Sequence, residues 1–527
     1  MKVLVSDNIS AEGIDILRKG GLEVDVKVGM SLEELTCCID QYNGIIIRSA
    51  TKVTKEVIDS AKNLMVIGRA GSGLDNVDKV AASKKGIVVM NTPGGNTITT
   101  AEHTIAMMFA LIRKTPLADR TLKNGKWEKK KLTGIELYNK TLGIVGLGNI
   151  GVQVAKKALG LEMNVIGYDP FISEEQAKKI GIRKVTLETL FKQSHIITVH
   201  TPLTNETRNM INKDTIALMK DGVRIINCAR GGIVNEKDLY DAIKSGKVAG
   251  AAIDVFEKEP PDDYSLVSLD EVVCTPHLGA STVEAQENVA LAVCEQIVDY
   301  LINGTIRNAV NFPSIPSEQV MLLKPYLDLA EKMGAFASQV HEGVARKFDI
   351  KLIGEAAEIA SEPVKIAALK GFLTPMLEET VNFVNAPVIA KERGIEVNET
   401  KSKDITDYNT MIGIIINGKF EIYGTLFGRK EPRIIMIKNY HIDVIPSGTM
   451  LFITNNDVPG IIGNIGTIIG QKGINIARMT HGRDRKGGVA ITVVSLDGDI
   501  DAEAINAIKG LSNIVSVKKV IVNSENT

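Results

Sequence analysis

Six residues, Gly146-Leu147-Gly148-Asn149-Ile150-Gly151, constrain this chain more than any other stretch, because they follow the apolar run Leu142-Gly143-Ile144-Val145 directly and open a segment of helical spacing. A strand that turns so sharply into a helix needs one glycine for the bend, a second where backbone must approach a bound pyrophosphate, and a third for close helix–strand packing, with the helix N-terminus facing the anion. Such a turn belongs in a parallel sheet covered by helices. An acidic residue is then expected at the end of the next strand, about 20 residues on. Asp169 stands there, closing the run Asn164 to Tyr168. Its carboxylate would accept hydrogen bonds from an adenosine ribose and repel a 2′-phosphate, and no arginine follows it closely, so the cofactor expected is NAD rather than NADP.

The same alternation of apolar runs and helical stretches extends both ways. Before the turn come KVLVSD, LEVDVKVG, YNGIIIRS, LMVIGRAG and GIVVMNTP; after it come NVIGYDP, HIITVHTP, VRIINCAR and VAGAAIDVF. This predicts two α/β lobes. Two long helical patterns sit between them, NTITTAEHTIAMMFALIRKT, with Asn96 as its expected N-cap, and STVEAQENVALAVCEQIVDYLING. The first carries the chain into the second lobe and the other returns it, which leaves a cleft between the lobes. Prolines and polar residues at 312–319 then read as a linker. Residues 320–447 read as α+β, one helical stretch (VKIAALKGFLTPMLEETVNFVNAPVIAKERG) followed by short antiparallel strands. The remainder has the βαββαβ order of a ferredoxin-like module. The expected boundaries are 1–95 and 284–315 for the first lobe, 96–283 for the second, then 316–447 and 448–527.

Composition excludes several functions. With 62 Lys+Arg against 63 Asp+Glu, the chain lacks the basic balance that binding a phosphate backbone requires, so nucleic acid is not an expected partner. The five cysteines show no CxxC spacing, which points to a reducing cytoplasm and no metal site. No run of 18 uncharged apolar residues and no secretory-type start is present, so no membrane association is expected.

Three side chains at strand ends fit the removal of hydrogen from a hydroxy acid. Arg230 ends VRIINCAR, where ligands of open α/β sheets bind, and a guanidinium can grip a carboxylate through two hydrogen bonds. His277 in CTPHLGAST can exchange a proton near neutral pH, and Glu259, after the strand ending IDVF, can orient its ring. Arg48 and Arg69 each end an apolar run of the first lobe, and Ser72 lies in the loop after Arg69, within reach of substrate or cofactor diphosphate.

The segments GLGNIG, NCARGG, DVFEKEP and PHLGAST, in this order and spacing, resemble the D-2-hydroxyacid dehydrogenase family, and RSATKV, GRAGSGLDNVD and NTPGGNT resemble its phosphoglycerate dehydrogenase branch. The likeness runs over the whole chain. It implies oxidation of D-3-phosphoglycerate to 3-phosphohydroxypyruvate, the first step of L-serine synthesis, with the cofactor domain inserted in the substrate domain. Arg230 would hold the substrate carboxylate and carbonyl, His277 would be the acid/base and Glu259 its partner. Arg48 and Arg69 would take the phosphate, with Ser72, Asn91, Gly94, Gly95 and Thr97 beside the substrate. Thr201, Cys228, Ala229, Asp254 and Gly279 would join the glycine turn, Asp169, Arg230 and His277 around NAD. Trp127, the only tryptophan, lies in a region that meets a second subunit in the family, so a homo-oligomer, dimer or tetramer, is implied; the run Lys129 to Lys131 reads as a solvated face. The final module resembles the ACT domain, with L-serine as implied effector at Asn455, Asp457 and Asn475. The segment before it resembles the intervening domain of long family members; there Arg429, Lys430 and Arg433 form either a solvated loop or a site for an anionic regulator. The alternatives are a glyoxylate or hydroxypyruvate reductase or another D-2-hydroxyacid dehydrogenase, and a non-catalytic NAD-responsive corepressor or metabolite sensor.

Overall fold

The computed structural model describes residues 1–313, 317–377, 380–403 and 407–522, together with the backbone but not the side chains of residues 317–320. The expected boundary between 315 and 316 lies outside the described residues.

Four sheets organise the chain. Strands Lys2–Val5, Glu23–Val26, Gly44–Ile47, Val66–Arg69 and Val88–Asn91 form a parallel sheet in the order 2-1-3-4-5, the flavodoxin-like arrangement. Four of these strands are buried nearly throughout because both of their faces are covered, whereas the edge strand Glu23–Val26, with Glu23 and Asp25, is exposed or half-buried along its length. Leu4, Ile45, Ile47, Ile67 and Val89 point to one core, Val3, Val5, Ile46, Val66 and Met90 to another. Helix Val283–Asn303 packs Val293 and Ile297 on this second face, so closely that a Cβ at Gly68 would lie 2.8 Å from Val293. The chain therefore returns to the first lobe as its sequence predicts.

The second sheet contains strands Thr141–Val145, Asn164–Tyr168, Arg183–Lys184, Ile196–Val199, Val223–Asn227, Val248–Ile253 and Val272–Cys274. Counted within this lobe the order is 7-6-5-4-1-2-3, all parallel, a Rossmann sheet with one added edge strand. Helix Thr97–Arg113 packs Met107, Met108, Leu111 and Ile112 against it. Asn96 does not cap that helix with its side chain. Its backbone, at φ −112° and ψ 12°, is outside the extended N-cap conformation, and its Oδ1 accepts instead from Ser72 Oγ at 2.8 Å.

The third unit departs from expectation. It has three α-helices, Ser317–Val340, Ser361–Leu373 and Ala386–Glu392, rather than one helical stretch, and its first two strands, Lys347–Gly354 and Glu396–Ser402, pair in parallel before four antiparallel strands complete the sheet. Pro325 and Gly334 argue locally against a long helix. Packing overrides them: a Cβ at Gly334 would lie 2.1 Å from the Ala368 carbonyl, so glycine there lets two helices meet. The expected single helix breaks after Leu373, where Thr374–Met376 forms a 3-10 turn around Pro375.

The last unit keeps its βαββαβ order, with strands Gly448–Asn456, Ile476–Arg483, Val489–Leu496 and Ile514–Val522 arranged 2-3-1-4 and antiparallel. Gln339 joins it to the third unit, exchanging two hydrogen bonds with the backbone of Ile521 (2.8 and 2.9 Å). No helix among the described residues is long and apolar enough to cross a membrane.

Candidate active site

Sheet register brings the site together. Tyr168, Val145, Val199, Asn227, Ile253 and Cys274 are partners across six adjacent strands, so the residues that follow them leave one C-terminal edge side by side. Asp169, Gly146, Cys228, Asp254 and Thr275 each stand one step beyond that line, and Thr201, Arg230 and His277 two or three. In the first lobe Ile47, Arg69 and Asn91 are likewise partners, which puts Arg48, Arg69 and Asn91 on a common edge.

The glycine turn has a distinct use for each glycine. Gly146 is at φ 94°, and a Cβ there would lie 2.5 Å from the His200 carbonyl oxygen. Around Gly148, at the start of helix Asn149–Gly160, nothing lies within 4 Å of an added Cβ, which leaves space for a diphosphate at the helix N-terminus beside Asn149 and Ile150. At Gly151 a Cβ would lie 2.0 Å from the Gly146 carbonyl oxygen. Gly151→Ala is therefore expected to cost about 1–3 kcal/mol in denaturant unfolding and to abolish tight NADH binding; an unchanged midpoint would contradict the packing argument. Asp169 accepts from the N–H of Leu147 and of Phe171, both at 2.8 Å, which ties the acidic side chain to the turn itself. Thr201 Oγ1 is buried without a hydrogen-bond partner, a donor left over for a ligand. Cys228 is buried, and burial pushes its thiol up to about 12, so it lines the site as an apolar group.

Asp254 is fully buried. Its Oδ1 accepts from Thr275 Oγ1 (2.6 Å) and Leu278 N–H (2.7 Å), and its Oδ2 from Gly279 N–H (2.9 Å). Burial pushes this carboxyl up, but the bonds from His103, Thr275 and Leu278 outweigh it and hold the group below its ordinary range. The carboxylate thus shapes the loop that carries His277. That residue sits at φ 56°, the left-handed region that few side chains adopt, and its N–H donates to the Asp254 carbonyl at 2.8 Å. His277 Nδ1 lies 2.7 Å from Glu259 Oε2, while Glu259 Oε1 accepts from Phe256 N–H at 3.1 Å. For Glu259, too, burial acts upward and is outweighed, chiefly by the imidazole, so the carboxyl stays below its usual range. A carboxylate on Nδ1 selects the tautomer with Nε2 free to accept a proton.

Arg69 is the most exacting cation. Its Nε is buried with no hydrogen-bond partner. Burial first, then the charges of Arg230 and Arg48 against an opposing Asp75, bring its guanidinium down to about 10. A guanidinium whose Nε is buried and unsatisfied, near two other arginines, suits an anion. Arg48 Nη1 reaches the Asn8 carbonyl (3.1 Å). Asn91 Nδ2 donates to the Ser72 carbonyl (2.7 Å), Gly94 takes φ 86°, and a Cβ at Gly95 would lie 2.6 Å from Val289. Thr97 opens the helix after them, its N–H bonded to the Gly94 carbonyl (3.1 Å).

Several positioning groups escape a reading of the sequence. Asn227 holds the Arg230 turn from both sides, donating to the Arg230 carbonyl and accepting from Ala229 N–H (2.9 and 3.0 Å). Asp7, buried at the end of the first strand, accepts from the Arg48 and Thr51 backbones, and Asn76 donates to the carbonyls of the same two residues. Asp7 shares its sheet edge with Arg48, a signal that was readable.

The residues expected to hold an effector do not meet in one chain. Register pairs Asn456 with Val489 and Ile476 with Leu496. Asn455 and Asp457 are therefore at one end of the sheet and Asn475 at the other, seven steps or roughly 23 Å away. Asp457 is held by Arg483 (2.9 Å) and Gly487 N–H (3.2 Å), Asn455 by Thr492 (3.2 Å), and Asn475 by Asp497 (2.5 Å). Arg433 is no solvated loop cation. It is 11% exposed in strand Glu431–Ile437, bonded to Glu431 (3.0 Å) with its guanidinium 5.3 Å from the Phe427 ring centre. Arg429 lies 3.8 Å from Glu355, in the turn before that strand with Lys430. Trp127 is 82% exposed, just before the turn Lys129–Leu132.

Comparison with known proteins identifies three domains along the chain. Residues 105–279 match the D-isomer specific 2-hydroxyacid dehydrogenase NAD binding domain, 322–438 the D-3-phosphoglycerate dehydrogenase intervening domain, and 449–513 the ACT domain. A D-3-phosphoglycerate dehydrogenase of Archaeoglobus fulgidus is 49% identical over 98% of this chain and 99% of its own length. The chain belongs to the D-3-phosphoglycerate dehydrogenase family. Another member of this dehydrogenase family, from a Synechocystis species, is 45% identical over 98% of the chain and 94% of its own length. Among solved structures, the D-lactate dehydrogenase of Aquifex aeolicus, complexed with NAD and lactic acid, superposes with a TM-score of 0.53 at 29% identity, covering 60% of this chain and all of its own. The chain is thus an NAD-dependent oxidoreductase with two further domains.

Proposed function

We infer that the protein oxidises the C2 hydroxyl of D-3-phosphoglycerate to give 3-phosphohydroxypyruvate, the first step of L-serine synthesis. The observation that carries this reading is the buried, unpartnered Nε of Arg69 beside Arg48 and Arg230, in a molecule whose His277–Glu259 pair is already aligned. A substrate with a carboxylate at one end and a phosphate at the other suits that spread of cations. Arg230 grips the carboxylate, Arg48 and Arg69 hold the phosphate, and Ser72, Asn91, Gly94, Gly95 and Thr97 line the space between. His277 Nε2 takes the hydroxyl proton, and Glu259 stabilises the imidazolium that results. When bound, NAD accepts the hydride from C2; the turn at Gly146, Gly148 and Gly151, with Asp169 and Thr201, would hold it.

Residues 1–95 and 284–315 are taken as one substrate lobe with the cofactor domain, 96–283, inserted in it; the intervening domain is 316–447 and the ACT domain 448–527. The test is NADH formation with D-3-phosphoglycerate beside D-glycerate and D-lactate. Preference for the unphosphorylated acids would favour a glyoxylate or hydroxypyruvate reductase, and no reduction with any of them a sensor. Asp169→Ala is expected to lower the NAD-over-NADP ratio of kcat/KM roughly tenfold or more, the worth of one charged hydrogen bond; an unchanged ratio removes Asp169 from cofactor choice.

The ACT domain is read as a site for L-serine. Since Asn455 and Asp457 lie far from Asn475, a pocket that uses all three draws on two copies of the domain, which supports a homo-oligomer, with Trp127 in its contact. Sedimentation with and without serine tests both statements.

A further inference from the structure

Arg230 is already engaged. Its Nε donates to Asp75 Oδ2 at 3.1 Å and its Nη1 to the Ala229 carbonyl at 2.6 Å, while Nη2 lies against Gly73, where a Cβ would come within 2.3 Å. Gly73 and Asp75 belong to the loop after strand Val66–Arg69. The first lobe thus reaches over the cleft to an arginine 155 residues away in sequence. Side-chain exposures of 32% and 78% make this a solvent-touched ion pair, and such pairs add little to stability. What it supplies is direction, because two of the three guanidinium nitrogens are pinned.

We propose that Asp75 is a positioning residue, which aims the Arg230 guanidinium from the opposite lobe and makes its alignment depend on the two lobes standing together. This rests on the reading of Arg230 as the carboxylate grip. Charge argues for aim over affinity. Asp75 places a negative charge beside Arg69, whose other charged neighbours are Arg230, Arg48 and Asp7, where a multiply charged anion must enter. A carboxylate there opposes substrate binding, so its contribution is geometric. Only the acceptor oxygen is needed for that, and an amide supplies it as well.

Two readouts test the proposal on the full-length enzyme. In steady-state assays Asp75→Ala should lose at least tenfold in kcat with KM for NAD unchanged, whereas Asp75→Asn should stay within threefold of wild type in kcat and show a lower KM for D-3-phosphoglycerate. Wild-type kcat in Asp75→Ala, or an equal loss in both variants, overturns the assignment. Independently of any substrate, phenylglyoxal modification of Arg230, followed by peptide mass spectrometry, should run several-fold faster in Asp75→Ala than in wild type. Equal rates overturn it too. A wild-type enzyme inert towards D-3-phosphoglycerate would instead defeat the substrate reading, and the modification rates would still decide the role of Asp75.

Discussion

Replacing His277 with alanine is expected to lower kcat/KM for D-3-phosphoglycerate by at least about a hundredfold, the lower end of what a positioned acid/base contributes. The loss should fall on kcat more than on KM, because the imidazole acts on the proton in flight and holds no charge of the ground-state substrate. Its setting explains the size. Backbone at φ 56°, the 2.8 Å bond to the Asp254 carbonyl and the 2.7 Å contact with Glu259 fix the ring before any substrate arrives. Glu259, held below the ordinary carboxylate range, would stay ionised while the proposed acid/base imidazole gained and lost its proton. Near-normal turnover in His277→Ala would remove the residue from the mechanism and would take Glu259 with it.

Arg69→Ala is expected to cost roughly tenfold to a hundredfold in kcat/KM with D-3-phosphoglycerate and under threefold with D-glycerate, which has no phosphate. That range is the worth of one to two charge-assisted hydrogen bonds. The guanidinium makes this a sharp test, because its Nε is buried without a protein partner, a donor that a bound anion would satisfy. An equal loss for both acids would move Arg69 from phosphate recognition to the general architecture of the cleft. Arg48, bonded to Asn8 at the lobe surface, should show the same selectivity with a smaller effect.

How much of this was legible beforehand depends on the range of the interaction. The turn at Gly146 to Gly151 was readable because each glycine answers to a contact within its own strand–turn–helix unit or the neighbouring strand, namely φ 94°, an open approach, and a Cβ that would strike Gly146. Arg230, Glu259 and His277 were readable as strand-end residues, since parallel strands in register deliver their C-terminal ends to one edge. Asn96 misled because an asparagine before a helix is a good cap in isolation, yet Ser72 from the other lobe takes its oxygen. The helix over Ser317–Val340 was hidden by Pro325 and Gly334, whose local cost is offset by packing on helix Ser361–Leu373.

By itself, then, the sequence determined the two α/β lobes, the NAD turn and the edge on which the proposed reactive residues stand, because strand periodicity and glycine stereochemistry are properties of a few neighbouring residues. Only the tertiary structure decided that the Nε of Arg69 is buried without a partner, that Asp75 holds Arg230 across the cleft, and that Asn475 lies at the far end of the sheet from Asn455 and Asp457. Those facts follow from sheet register and from how closely two lobes approach, and both are set by contacts between residues distant in the chain, on which local spacing carries no information.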